Sequence, residues 1–420
     1  MSARRQNSEV LQVTDLKGRR MEPARVILRV LRAEGATGVS QRVARAAYRR
    51  SGARASDFAL RPEDISDSVT LRLETPAAAP PIGAQLRVAW VTTPPAPGSG
   101  GHTTMFRMVE AVEAAGHTCT IYLYDRYRGD VHRHARTVRA WWPGVLAEVR
   151  EVDDGMEGAD VVVATSWPTA HVVAAQTRFA VRRMYLVQDY EPYFYPRGSE
   201  YALAEDTYRF GFRCVTIGNM VADLLQRECG VSAAVATFGC DSQVYRLTNP
   251  RKRSGIVFYA RPDAPRRGFE LAVLALAEIK RRRPDQVIHV FGDDPRLPFD
   301  TVMHGRLTPA QLCELYNQCA AGLALSFTNI SLTAAEMLAC GVVPVVNDHE
   351  FARADLNHSD VRWAPATPAG LADHLEEAVA RSPARPFADQ APAGHVGLGS
   401  GWTEATGTFL RTLEDEVWSH

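Results

Sequence analysis

What most constrains this chain is a rhythm that occurs twice. From Leu86 onward, short apolar runs alternate with segments of helical period: Leu86–Val91, a helix His102–His117 closed by Gly116, then Thr118–Tyr124, Ala159–Thr165, Arg183–Asp189, Arg213–Gly218 and Ala233–Phe238. Strands separated by helices are joined by right-handed crossovers, which give a parallel sheet covered on both faces. The polar, turn-rich stretch Gly239–Gly255 interrupts the series and reads as a linker. The alternation then restarts with Gly255–Ala260, a helix Gly268–Arg282, Gln286–Gly292, a helix Thr308–Cys319, Ala321–Phe327, Val342–Asn347 and a helix Pro368–Arg381. The expectation is an α/β chain with two doubly wound units in series, at 85–240 and 241–385, followed by a tail and C-terminal helix at 386–420. Ligands of such sheets bind at the carboxyl ends of the strands, so two units facing each other define a cleft.

Residues 1–84 stand apart as a basic helical N-terminal extension and linker. Met1 to Arg54 carries thirteen Arg or Lys against four Asp or Glu, with Val26, Leu28 and Leu31 set among arginines. Two short amphipathic helices fit that pattern, either packed on the main body or laid on an anionic membrane surface. Thr75–Ala84, rich in proline and alanine, reads as the linker. Over the whole chain the charges balance at 48 of each sign, which points to no particular partner, and no nucleic acid is expected. No apolar run approaches the ~18–20 residues that span a bilayer, and no signal-peptide core follows Met1. A cytoplasmic protein is therefore expected, with peripheral contact at the inner membrane face as its one route to lipid. The seven cysteines are odd in number and scattered, without a C-x-x-C pair. Reduced core thiols are the expectation, rather than disulfides or a metal site.

Three segments carry chemistry. In the loop before the first helix, Gly98, Gly100 and Gly101 suit positive φ or close approach of backbone to a ligand, and the helix start offers N–H groups to an anion. The dinucleotide fingerprint G-x-G-x-x-G fails here, because Thr103 holds its last position, and the Walker lysine is absent. In the second segment Arg261 ends a strand, while Arg266 and Arg267 open a helix where cations oppose the helix dipole unless an anion shares the site. Guanidinium forks suit a pyrophosphate. In the third, Arg306 ends a turn, Ser331, Leu332 and Thr333 open a helix, and Glu336 lies one turn inside it. A carboxylate there can accept hydrogen bonds from a ribose diol; buried without a ligand or cation, it would be costly.

Together these segments resemble the glycosyltransferase family 4 type of retaining glycosyltransferases, over roughly Leu86 to Arg381. The motifs are the Gly100-Gly101 loop with Gly116-His117 closing its helix, Arg261 with Arg267-Gly268, and Glu336-x-x-Ala339-x-Gly341 followed by Pro344-Val345-Val346. The resemblance implies a GT-B fold, two Rossmann-like domains facing across a cleft. The family element carries a second glutamate eight residues before the first, and Thr328 stands there instead. Leu186–Pro196, Phe258–Leu271 and Gly305–Thr308 look closest to the bacterial rhamnosyltransferases of surface-layer glycan assembly, which lack that glutamate and use dTDP-L-rhamnose.

By this resemblance Gly100 and Gly101, Arg261, Arg267 and Arg306, Ser331, Leu332 and Thr333, and Glu336 would bind the nucleotide sugar. His102, Asp189 and Glu191 would be the catalytic candidates. His102 lines the sugar side. Asp189 and Glu191 follow an apolar strand toward the same cleft, where a carboxylate could orient an acceptor hydroxyl, act as general base, or simply pair with an arginine. The implied partners are a nucleotide-sugar donor and a glycan or lipid-linked acceptor. No cofactor and no metal are implied, since no D-x-D stands in a suitable context and Asp293-Asp294 reads as a solvated turn. The rival readings are a nucleotide-sugar 2-epimerase of the same fold and a non-catalytic nucleotide-sugar-binding protein.

Overall fold

The computed structural model describes residues 58–249, 253–380 and 401–418. The basic helices expected before residue 58 and most of the stretch leading to the last helix lie outside them. Two sheets are present, every strand pairing within them parallel. The first comprises β1 (Arg87–Thr92), β2 (Thr118–Leu123), β3 (Glu148–Glu151), β4 (Val161–Ala164), β5 (Arg182–Val187), β6 (Arg213–Ile217) and β7 (Ala234–Ala236), in the order β3-β2-β1-β4-β5-β6-β7. The second comprises β8 (Gly255–Ala260), β9 (Ile288–Gly292), β10 (Val302–Met303), β11 (Cys319–Leu323), β12 (Val343–Asn347) and β13 (Arg362–Ala364), in the order β10-β9-β8-β11-β12-β13.

The central strands β4, β11 and β12 are buried along their whole length, as unbroken apolar runs require when helices cover both faces. The edge strand β3 is Glu-Val-Arg-Glu and alternates exposed with half-buried residues. It has no apolar run to announce it, and its charges discourage pairing with a further strand. Each sheet reverses its order once, between β1 and β4 and between β8 and β11. Those two reversals place the crevices in which doubly wound sheets hold ligands.

Segment 62–74 is pinned to the first half: the Ser68 amide donates to Asp206 at 3.0 Å, and Arg183 donates to the Glu74 carbonyl at 2.7 Å. The helix Thr403–Trp418, although it follows the second sheet in the chain, packs on the first, against the helix Gly100–Ala114 and β5–β7. Phe409 stacks on Trp90 with ring centroids 5.1 Å apart, and both are fully buried.

The carboxyl ends of the two sheets meet. Residues 188–189, just past β5, touch residues 328–329 in the loop after β11. Asp355 of the second half accepts from the Asn219 amide at 2.6 Å and the Met220 amide at 3.0 Å, capping a short helix after β6. The approach is close enough to demand glycine at 218, where φ is 91° and a Cβ would lie 2.6 Å from both Asp355 and Phe238. Six of the seven cysteines are buried, Cys229 is partly so, and all are free thiols. Among the described residues no helix is long and apolar enough to cross a membrane.

Candidate functional site at the carboxyl ends of the two sheets

The glycine loop leads from β1 into the helix Gly100–Ala114, whose N-cap Ser99 accepts from the His102 amide at 3.4 Å. Of the three glycines only Gly98 has positive φ, 75°. A Cβ on Gly100 would meet nothing within 4 Å, and one on Gly101 would come no nearer than 3.6 Å to the Gln188 side chain. Glycine at 100 and 101 is therefore not forced by backbone strain or by packing. What it supplies is bare backbone and open space. The His102 ring is engaged at both nitrogens, with Ser99 Oγ at 2.8 Å and the Thr93 carbonyl at 3.1 Å. Burial lowers its pKa, which keeps the imidazole neutral at pH 7.

Asp189 and Glu191 are both 6% exposed. Asp189 Oδ2 accepts from Thr328 Oγ1 at 2.9 Å and faces Arg266 Nε at 3.7 Å, while Oδ1 accepts from the Tyr190 amide at 2.9 Å. Burial raises its pKa, opposed by the charges of Arg267 and Arg266 and by hydrogen bonds from Thr328 and Asn329. Glu191 turns inward rather than into the crevice: its Oε2 accepts from the Trp167 amide at 2.8 Å, at the start of the helix Trp167–Gln176. Burial pushes the Glu191 carboxyl up to about 8, against that amide bond.

The second half brings the arginines together. Arg261 lies just past β8 and Arg306 in the turn after β10, and both face Asp293, at 3.7 and 3.5 Å. Asp293, expected to be a solvated turn residue, instead bridges the two guanidiniums. Their side chains remain 40% and 67% exposed, so both can still take a ligand oxygen. Arg267 ends a turn sealed by Gly268, where φ is 61° and a Cβ would lie 2.8 Å from Phe327. Its guanidinium donates to Ser326 Oγ at 2.7 Å, to the Asn329 carbonyl at 3.0 Å and to Asn329 Oδ1 at 3.1 Å. Burial lowers its pKa to about 10, which leaves it charged at neutral pH.

Ser326–Ser331 opens the helix Leu332–Ala339. Asn347 at the end of β12 fastens the loop, accepting from the Ser326 amide at 2.8 Å and donating to its carbonyl at 2.7 Å. The Ser331 hydroxyl pairs with that of Thr333 and caps none of the helix N–H groups. Such a terminus suits an anion. The helix ends at Gly341, φ 73°, where the Val342 amide returns to the Met337 carbonyl at 2.8 Å.

Glu336 is half-buried on that helix. Tyr316 donates to its Oε2 at 3.4 Å, and the Tyr245 hydroxyl also hydrogen-bonds to it. Burial pushes the carboxyl up to about 7, against those two bonds and the charge of Arg107 on the Gly100–Ala114 helix. Sequence reasoning did not single out Tyr245, Tyr316, Asn329, Asn347 or Asp355. The one local signal was Asn347, an amide ending an otherwise apolar strand.

Two facing doubly wound sheets with these crevices define the GT-B fold. Solved structures share it: a glycosyltransferase from Rickettsia africae ESF-5 superposes with a TM-score of 0.56 at 13% identity, covering 79% of this chain and 98% of its own. Anabaena Alr3699/HepE in complex with UDP-glucose superposes with a TM-score of 0.53 at 12% identity, covering 80% and 96%. At the level of sequence, the family model described as "WsaF, N-terminal domain" matches residues 148–220, and "WsaF, C-terminal domain" matches 254–376. The O-antigen biosynthesis protein RfbC of Myxococcus xanthus is 30% identical over 335 residues, 75% of this chain. The chain spans 26% of that relative's length.

Proposed function

We propose that the protein is a glycosyltransferase of glycan assembly that moves rhamnose from dTDP-L-rhamnose to a glycan or lipid-linked glycan acceptor, with retention and without a metal. The observation that carries this reading is the convergence in the second half of Arg261, Arg306, Arg267 and the uncapped start of the helix Leu332–Ala339, with Glu336 one turn further in. An anion-binding end and a hydroxyl-binding carboxylate on one helix suit a nucleoside diphosphate. The donor sugar rests on the resemblance of Leu186–Pro196, Phe258–Leu271 and Gly305–Thr308 to enzymes that use dTDP-L-rhamnose, and on Thr328 standing where the family 4 element has its other glutamate. The acceptor class rests on the name of the Myxococcus relative.

In this reading the bond from the anomeric carbon to the diphosphate oxygen breaks, negative charge grows on the leaving group, and the arginines and helix terminus stabilise it. The acceptor oxygen attacks from the same face, and its proton passes to the departing phosphate. Ser331, Leu332 and Thr333 cap the diphosphate, and Glu336 takes the pentose hydroxyl. Gly100 and Gly101 leave room for the sugar beside His102, whose neutral ring holds the loop. Asp189 acts on the shape of the site, since both of its oxygens already have partners, and Glu191 acts on the first half's own packing, its Oε2 taken by the Trp167 amide.

The test is a thermal-shift screen of dTDP, UDP, GDP and ADP, followed by incubation of dTDP-L-rhamnose with and without lipid-linked glycan. A ligand raises the melting temperature in proportion to its affinity. Stabilisation by dTDP and rhamnose transfer are the expected results. No shift with any of the four nucleotides would remove the proposal. A sugar nucleotide epimerised without acceptor would move it to the rival enzyme class.

A further inference from the structure

One short loop is held by both halves at once. From its own half, Arg267 grips Ser326 Oγ, the Asn329 carbonyl and Asn329 Oδ1 at 2.7–3.1 Å. From the opposite half, Asp189 accepts from Thr328 Oγ1 at 2.9 Å and from the Asn329 amide at 3.4 Å, and the Gln188 carbonyl accepts from Asn329 Nδ2 at 2.7 Å. Asn329 thus has its amide N–H and side-chain NH₂ on the first half and its two oxygens on Arg267. Asp189, Thr328 and Asn329 are all buried, so parting the halves would break these bonds together. Two residues beyond Asn329 stands Ser331, the N-cap of the helix Leu332–Ala339.

We propose that Asp189, Thr328 and Asn329 form a clasp between the halves that makes their closure and the binding of a nucleoside diphosphate at the Leu332–Ala339 helix a single coupled event. The clasp rests on the donor site proposed above. Its members are positioning residues. The loop has its full set of partners only when the halves are together, so a ligand that needs this loop conformation favours closure, and closure favours that ligand to the same degree. The same geometry accounts for threonine at 328. A glutamate there would bring a second carboxylate beside the buried Asp189, and two like charges in a buried site disfavour one another. The glutamate missing from one half and the buried aspartate of the other are one feature.

The experiment uses the full chain carrying Cys229→Ser, with spin labels at Leu146→Cys and Leu274→Cys, both exposed positions on opposite halves. Inter-label distances are measured without ligand and with dTDP or UDP, and the affinity for each nucleotide is titrated. Thr328→Val keeps the side-chain shape and removes the hydroxyl; Asp189→Asn keeps the shape and removes the charge. Each is expected to lengthen the ligand-free distance and to weaken nucleotide binding about tenfold, whereas Thr328→Ser restores parental values. Thr328→Val and Asp189→Asn variants with parental distances and affinities would overturn the clasp alone. Variants that open but bind nucleotide as tightly as the parent would overturn the coupling. A parent that binds neither dTDP nor UDP would overturn the donor-site reading, and the coupling with it.

Discussion

The two halves share a topology but use their strand ends differently. In the first half the polar groups near the strand ends are already engaged: Glu191 turns inward and caps a helix, His102 has a partner at each ring nitrogen, and Asp189 is taken by the opposite loop. In the second half several groups keep free capacity. Arg261 and Arg306 share one carboxylate between two guanidiniums, and the Leu332–Ala339 helix begins without a side-chain cap. Positive charge without full compensation is what an anionic ligand needs, and it sits on one side of the crevice. In the proposed function, binding strength therefore belongs to the second half, and the first supplies shape, open backbone and the clasp.

That division can be broken by substitution. Arg267→Ala removes a charge and three hydrogen bonds from the Ser326–Ser331 loop, and kcat/KM is expected to fall by about 10³-fold, the scale of losing a preorganised charge-stabilising donor. If turnover survives within tenfold, the second half does not carry the leaving group. Arg261→Ala leaves Arg306 and Arg267 in place and should cost about 10²-fold, seen in steady-state kinetics with dTDP-L-rhamnose.

Glu336 sharpens the comparison through pH. Its carboxyl titrates near 7, and the charged form is the stronger acceptor for a pentose hydroxyl. Nucleotide affinity should therefore rise between pH 6 and 8 in the parent, and Glu336→Gln should bind several-fold more weakly with that slope gone, as read by titration calorimetry. Glu191 should affect folding rather than binding. Its pKa, raised to about 8, means the folded state holds a proton that the unfolded chain releases near pH 4–5. Its stabilising contribution is complete below that unfolded value and is lost as pH rises through 8. Glu191→Gln should flatten the fall in melting temperature between pH 5 and 9, by several degrees at the alkaline end, with nucleotide affinity unchanged.

The parallel sheets were legible because their central strands are unbroken apolar runs, and the residues of the proposed donor site stood out because arginine at strand ends and glutamate inside a small-residue helix are unusual placements. The polar edge strand β3 and the helix Val131–Trp141, which buries only Val138, offered no comparable pattern. The clasp was hidden for another reason. Asp189 and Thr328 are 139 positions apart, and Asn219 and Asp355 are 136 apart, so each residue reads as an ordinary loop polar group until the fold pairs them. The two ion pairs of Asp293 were hidden on the same ground, because its arginines lie on either side of it in different loops.

The return of the helix Thr403–Trp418 to the first sheet means that chain order and spatial order disagree. No single cut can separate this molecule into its two lobes. A fragment stopping at residue 380 would leave Trp90 without the ring of Phe409 that covers it, while a peptide of 401–418 added back could complement the fragment without a covalent joint.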